Sequence, residues 1–219
     1  MNKIHQGDCL EFMLQVPDKY FDLILTDPPY GIKVLRNGGS HGTGRICAPG
    51  DYSYADNSWD GWKPPKQYFN EIFRISKHQI IFGANHFIES MPRNSSCWLV
   101  WDKDNADSTF ADCELAWTSF KTAVRKYKYR WNGMLQADMR NKEARIHPTQ
   151  KPVRLFSAIL QDYAKSGMKV FDPFMGSGTT AIAATSLSLE WCGCELDAGY
   201  VKRANERLEK VQMNLFNLA

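Results

Sequence analysis

The chain has 219 residues, 43% of them hydrophobic, with 27 basic against 24 acidic side chains and a formal charge of +3. That length can bury a full core, no apolar run is long enough to span a bilayer, and no charged-then-apolar leader opens the sequence, so a soluble, cytoplasmic, single-domain protein (1–219) is expected. Six scattered cysteines without the two-residue spacing of a zinc site, and five dispersed histidines, give reduced thiols and no metal as the expectation.

In chain order, a strand is expected near residues 2–5 and a helix over 9–15. An apolar run, Phe21-Asp22-Leu23-Ile24-Leu25-Thr26, then reads as a buried strand that stops at Asp27-Pro28-Pro29-Tyr30. The Asp27 carboxylate accepts hydrogen bonds. Pro28 has no N–H and turns its carbonyl outward as a second acceptor, and two fixed φ angles stiffen the turn. Tyr30 offers a flat ring for stacking, so the ring rather than the hydroxyl is expected to do the work. Two acceptors beside a stacking face suit the exocyclic amino group of a base. The competing reading is a stiff turn carrying a surface tyrosine.

Residues 32–65 fit neither periodicity and contain six glycines, which suits a mobile lid. A helix over 66–76 follows, then strands near 79–82, 97–101 and 114–120, the last leading into an antiparallel excursion through 124–131. Between 121 and 146 stand eight basic residues against two acids, a local excess of six, interleaved with Tyr127, Tyr129 and Trp131. Such a segment can neutralise phosphates and touch bases, with Arg125, Lys126, Lys128, Arg130, Arg140 and Lys142 as candidates. A solvated basic face is the alternative.

After a helix over 153–165, the strand Val170-Phe171 runs into Asp172-Pro173-Phe174-Met175-Gly176-Ser177-Gly178-Thr179-Thr180 and a helix over 179–187. The glycines let the backbone turn tightly and approach a ligand. This is neither a phosphate loop, since no lysine follows the second glycine, nor a dinucleotide fingerprint, since the third glycine is missing. A strand over 191–194 ends in Glu195, placed for ribose hydroxyls, and a helix over 198–211 follows. The ligand expected is a nucleoside without a required phosphate. Alternating strands and helices imply an α/β sandwich with a largely parallel sheet.

These segments resemble the amino-group DNA methyltransferases of the β group, in which the catalytic motif precedes the cofactor motif. Asp27-Pro28-Pro29-Tyr30 is similar to their catalytic motif, residues 171–180 to their cofactor loop, His147-Pro148-Thr149-Gln150-Lys151-Pro152 to a segment at the methionine end of the cofactor, and Gly7-Asp8-Cys9 to one over its adenine. The resemblance implies a Rossmann-like three-layer fold with a permuted motif order and a seven-stranded sheet holding one reversed strand. It implies S-adenosylmethionine as cofactor, held by Asp8, Cys9, Asp27, Lys151, Phe171, Asp172, Phe174, Gly176, Ser177, Gly178, Thr179 and Glu195. Helix-cap readings of Asp8 and Thr179, and a surface-charge reading of Lys151, stand beside those roles. Catalysis falls to Asp27, Pro28, Pro29 and Tyr30, and target recognition to an insert at about 121–146. The implied reaction is methyl transfer to adenine N6 in a specific sequence of double-stranded DNA, by base flipping and in-line attack. Cytosine N4 methylation and a non-catalytic accessory subunit are the alternatives, and a homodimer and a cognate restriction endonuclease are partners the resemblance leaves open.

Overall fold

The structure, a computed structural model, describes residues 1–32, 61–105, 111–132, 135–147 and 149–216. Most of the expected lid segment therefore lies outside the described residues.

Strand β1 (Lys3–Gln6) leads through helix α1 (Cys9–Met13) to β2 (Phe21–Thr26). Helix α2 (Lys66–Ile75) passes directly into β3 (Ser76–Phe82), and β4 (Trp98–Asp102), β5 (Cys113–Thr118) and β6 (Arg125–Lys128) follow. A two-residue pair, β7 (Trp131–Asn132) and β8 (Leu135–Gln136), precedes α3 (Val153–Tyr163). The chain finishes with β9 (Lys169–Asp172), α4 (Thr179–Ser186), β10 (Glu190–Glu195) and α5 (Ala198–Phe216).

The main sheet is ordered β1-β10-β9-β2-β3-β5-β4-β6. It has eight strands, not the expected seven, because β6 pairs in parallel with β4, matching Leu99 to Arg125 and Asp102 to Lys128. Only β5 runs against the rest, antiparallel to both β3 and β4. The parallel strands read as apolar runs because both sheet faces are covered. Leu23, Leu25, Val170, Ile80 and Phe82 pack on one side, with Leu155, Phe156, Ile159, Ala183, Ala204 and Leu208 from α3, α4 and α5. Ile24, Phe171 and Ile81 pack on the other, with Met13 of α1 and Phe69 and Ile72 of α2. Each fully buried large apolar side chain contributes about 1.5–3 kcal/mol, so this three-layer arrangement is fixed mainly by alternation along the strands.

From β2 the chain winds through α2 to β3 on one side, while from β9 it winds through α4 to β10 on the other. Strands β2 and β9 are hydrogen-bonded neighbours, Leu23 opposite Val170 and Ile24 opposite Phe171. The crevice above their carboxyl ends is thus a topological switch point, where open α/β sheets bind ligands. Four of the five described thiols are buried; Cys113, at the start of β5, is exposed instead. Among the described residues no helix is long and apolar enough to cross a membrane, and no group of His, Cys, Asp and Glu could hold a metal.

Candidate active site

Asp27 follows the last residue of β2 and Asp172 is the last of β9, so the two carboxylates stand side by side at the switch point. They do different things. Asp172 Oδ1 accepts from Thr26 Oγ1 at 2.6 Å and from the Phe174 amide at 3.0 Å, and its Oδ2 accepts from Thr180 Oγ1 at 2.6 Å. Burial lifts its pKa to about 6 against those three donors. It braces β2, β9 and α4 around the loop.

The loop itself is held open by backbone conformation. Gly176 and Gly178 both sit in the left-handed region, at φ 53° and 79°, and a Cβ on Gly178 would press within 3.1 Å of Ala204 in α5. The Gly176 amide donates to Glu195 Oε2 at 2.8 Å, and the Asp197 amide to Glu195 Oε1 at 2.9 Å. Glu195 therefore ties the loop to the end of β10 with both oxygens, and burial raises its pKa. Thr179 Oγ1 donates to the Lys151 carbonyl at 3.0 Å and lies 3.1 Å from Ser177 Oγ. One pocket collects Asp27, His147, Lys151, Asp172, Phe174 and Gly176. Burial and the neighbouring Lys151, Arg203 and Arg145 push His147 down to about 3, so its imidazole is neutral. A larger cavity of about 330 Å³ between Ile88, Arg93, Trp98 and Trp117 contains none of the motif residues.

Two expected cofactor residues make close contacts within the protein. Phe171 is fully buried, stacked on Phe21 at 4.6 Å and on Phe12 at 5.5 Å, because strand alternation turns it toward the α1–α2 layer. Lys151 is 6% exposed and its ammonium contacts the Asp27 carboxylate, with Glu114 Oε2 3.1 Å away. It is not a surface charge, and the two carboxylates raise its pKa although burial opposes them. Burial pushes Asp27 up while Lys151 and Tyr30 hold it down. Asp8 caps α1, accepting from the Leu10 amide at 2.8 Å, and its other oxygen accepts from Tyr68 Oη at 2.9 Å. Cys9 behind it is buried, which raises its thiol pKa.

Tyr30 departs from expectation in one respect. Its hydroxyl donates to Asp27 Oδ1 at 2.5 Å, so the hydroxyl orients the carboxylate. The ring lies against Gly83, where any side chain would overlap it, and stacks on the His86 imidazole at 4.9 Å and 18°.

Sequence reasoning passed over several residues. Tyr68 clusters with Phe174 and Trp62 at centroid distances of 5.3–6.3 Å beside Asp8. Arg207 in α5 donates to the Ser177 carbonyl at 2.9 Å and to Glu143 Oε2 at 3.0 Å, while Glu143 also accepts from the Val153 amide at the start of α3. A long-range ion pair leaves no local spacing signal. Only its outcome, an acid inside an otherwise basic segment, was visible.

The basic candidates divide. Lys126 pairs with Asp102 at 3.3 Å, and Lys128 and Arg130 pair with Asp104 at 2.8 and 3.4 Å. Arg125 donates only to the Val124 carbonyl, at 3.3 Å, among described partners. Arg140 and Lys142 are exposed and make no ion pair among the described residues. Because β6 runs parallel to β4, its carboxyl end, with Lys128, lies along the sheet edge that carries Asp27.

Residues 101–206 match the family model described as DNA methylase. Over that stretch, just under half of its length, the chain is similar to the DNA methylases. The type II methyltransferase M.HinfI of Haemophilus influenzae is 24% identical over 98% of this chain and 70% of its own length. The solved complex of M1.HpyAVI with SAM shares the fold at a TM-score of 0.55 and 22% identity, covering 94% of this chain and 99% of that one. The PvuII DNA methyltransferase, described as cytosine-N4-specific, shares it at 0.59 and 13% identity, over 98% and 92%.

Proposed function

We propose that this methyltransferase moves a methyl group from S-adenosylmethionine to the N6 amino group of adenine in a specific DNA sequence. The observation that carries the reading is the Asp27 carboxylate at the switch point, oriented by Tyr30 and bordering the Gly176–Gly178 loop in one pocket. The pocket suits the cofactor: two left-handed glycines bare the loop backbone, and Glu195 closes the next strand as an acid. Phe174, Gly176, Ser177 and Thr179 would hold its methionine side, Glu195 the ribose, and Asp8 with Tyr68 the adenine end. The cofactor supplies an electrophilic methyl group.

The protein's part is positioning. An adenine amino nitrogen is a poor nucleophile because its lone pair is delocalised into the ring. Asp27 and the Pro28 carbonyl accept its two N–H groups and draw it toward tetrahedral geometry, freeing the lone pair. The base leaves the duplex stack at a cost of a few kcal/mol, partly offset by stacking on Tyr30. Residues 121–146 form the recognition segment of a single methyltransferase domain, with Arg125, Arg140 and Lys142 on phosphates and Lys126, Lys128 and Arg130 exchanging Asp102 and Asp104 for phosphate. Adenine is preferred because the motif opens with Asp27; the fold shared with the PvuII enzyme supports cytosine N4 as the second reading.

Asp27→Ala should abolish transfer of a labelled methyl group to DNA while cofactor affinity persists. Turnover within a few-fold of wild type would remove Asp27 from the chemistry. Modification-sensitive sequencing of DNA from expressing cells decides between N6-methyladenine and N4-methylcytosine.

A further inference from the structure

In the base-free protein both oxygens of Asp27 are occupied. Tyr30 Oη holds Oδ1 and the Lys151 ammonium holds Oδ2. An amino group arriving at Asp27 therefore meets a carboxylate already engaged by a buried cation. Each carboxylate oxygen can accept a second bond, but Oδ2 serves the amino group at full strength only if Lys151 turns aside, and a buried ammonium that turns aside needs another acceptor within reach.

Glu114, near the start of the reversed strand β5, is that acceptor. Its Oε1 is pinned by Lys103 at 2.5 Å. Its Oε2 is screened from solvent and lies 3.1 Å from Lys151 Nζ, yet no hydrogen bond is aligned on it. A buried carboxylate oxygen that shares an ammonium with Asp27 as an ion pair, with no aligned hydrogen bond of its own, has hydrogen-bonding capacity to spare. Burial works against the charge on Glu114, but Lys151 and Lys103 outweigh it and keep the group ionised. The Tyr30 and Phe82 rings lie 5.6 and 5.9 Å from the ammonium, and the Asp172 carboxylate in the same pocket already accepts from Thr26, Phe174 and Thr180, which leaves Glu114 as the acceptor at hand.

We infer that Glu114 is a positioning residue that receives Lys151 when the target amino group takes Asp27, so that the catalytic carboxylate is uncovered only by the base it acts on. This rests on the methyl-transfer reading. No bond to carbon is made or broken in the step: one N–H of Lys151 leaves Asp27 Oδ2 for Glu114 Oε2, and an N–H of the base replaces it. The pocket keeps its charge throughout. It also gives the site selectivity for a base with an exocyclic amino group, since a base without one cannot refill Asp27.

The test uses the full chain with saturating S-adenosylhomocysteine and two duplexes carrying the methylation site found by sequencing, one with adenine and one with unsubstituted purine at the target position. The adenine-to-purine affinity ratio is compared between wild type and Glu114→Gln, so the cost of unpairing each base cancels. Glu114→Gln should lower that ratio by about tenfold or more, the scale of one hydrogen bond to a charged group, and slow single-turnover transfer while S-adenosylhomocysteine binds as before. Glu114→Asp, which keeps the charge and shortens the reach, should fall between the two. A merely structural role would weaken both duplexes equally and leave the ratio alone. If Glu114→Gln binds S-adenosylhomocysteine normally and its ratio equals that of wild type, the inference is overturned and methyl transfer stands. If neither variant folds, lysine-selective NMR of the wild type decides: the Lys151 ammonium resonance should move with the adenine duplex and not with the purine duplex, and an unmoved signal overturns the inference. Finding no methylated base in expressing cells would remove the parent reading and this one with it.

Discussion

Removing a single oxygen from Tyr30 should show how far the active-site carboxylate depends on its neighbour. Tyr30→Phe keeps the ring beside Gly83 and stacked on His86 and deletes only the 2.5 Å donor to Asp27 Oδ1. A hydrogen bond to a charged group contributes about 1.5–3 kcal/mol. The Asp27 side chain is 18% exposed, so water recovers part of the loss, and about 1–2 kcal/mol is expected. For a chain of this length that lowers the melting temperature by roughly 2–8 °C. The same donor favours the ionised carboxylate, so its loss raises the Asp27 pKa. In the proposed mechanism the ionised Asp27 carboxylate is the effective acceptor for the substrate amino group, because protonation weakens it and turns one oxygen into a donor. Activity is lost as pH falls through its pKa, and the acid limb of the pH–rate profile should therefore move to higher pH in Tyr30→Phe. Scanning calorimetry and single-turnover methyl transfer across pH check both effects. A variant with wild-type melting temperature and an unmoved acid limb would refute the claim that the hydroxyl holds Asp27.

Tyr30→Ala should be worse than Tyr30→Phe by about 1–3 kcal/mol in binding of a duplex carrying the methylation site, measured by titration, because the base loses its stacking surface. Gly176→Val places a branched residue at φ 53°, where no protein atom comes closer than 3.9 Å to the new Cβ. The cost is therefore backbone strain of about 1–2 kcal/mol, and calorimetric titration with S-adenosylhomocysteine should show weakened affinity on a folded protein. Arg207→Met leaves Glu143, 20% exposed, without its cation and Ser177 without a donor. Urea unfolding should lose about 3 kcal/mol, with cofactor affinity falling in parallel. For the basic segment, Arg140→Ala with Lys142→Ala should reduce the slope of log K against log salt by about 0.9 for each phosphate that is no longer neutralised. Lys126→Ala with Lys128→Ala should change it less, because those ammonium groups already neutralise Asp102 and Asp104.

Short apolar runs made the central strands readable, and β2, β9 and β10 fall within two residues of expectation because buried parallel strands are continuous apolar runs. The Asp27-Pro28-Pro29-Tyr30 turn and the glycine loop were legible because rigid turns and left-handed backbone demand particular residue types. Strand β6 was harder: its side chains are mostly exposed, so its sequence carries charge rather than alternation, and its place beside β4 is set by pairing 26 residues away. The role of Lys151 was hidden for a related reason. The resemblance placed Lys151 near the cofactor with a surface charge as the alternative, and only the fold brings Asp27, 124 positions earlier, and Glu114 to its ammonium. The same holds for Tyr68, which looks like one more residue on the apolar face of α2 until Asp8 is seen at its hydroxyl.

The pairing of β2 with β9 has a consequence for how the molecule assembles. Leu23 and Val170 are neighbours in the sheet but lie far apart along the chain, and β1 likewise waits for β10. Pairings of such long sequence separation form late, because the entropy of closing a large loop is spent before they contribute anything. On a ribosome adding about 5–20 residues each second, the N-terminal strands emerge many seconds before their partners exist. During that interval Thr26 has no Asp172 and Asp27 no Lys151, so a nascent or truncated chain holds the Asp27–Tyr30 turn without a pocket around it. Competence to bind cofactor then arrives in one step with the central strand pair, and a ligand that bridges β2 and β9 stabilises the slowest pairing in the fold.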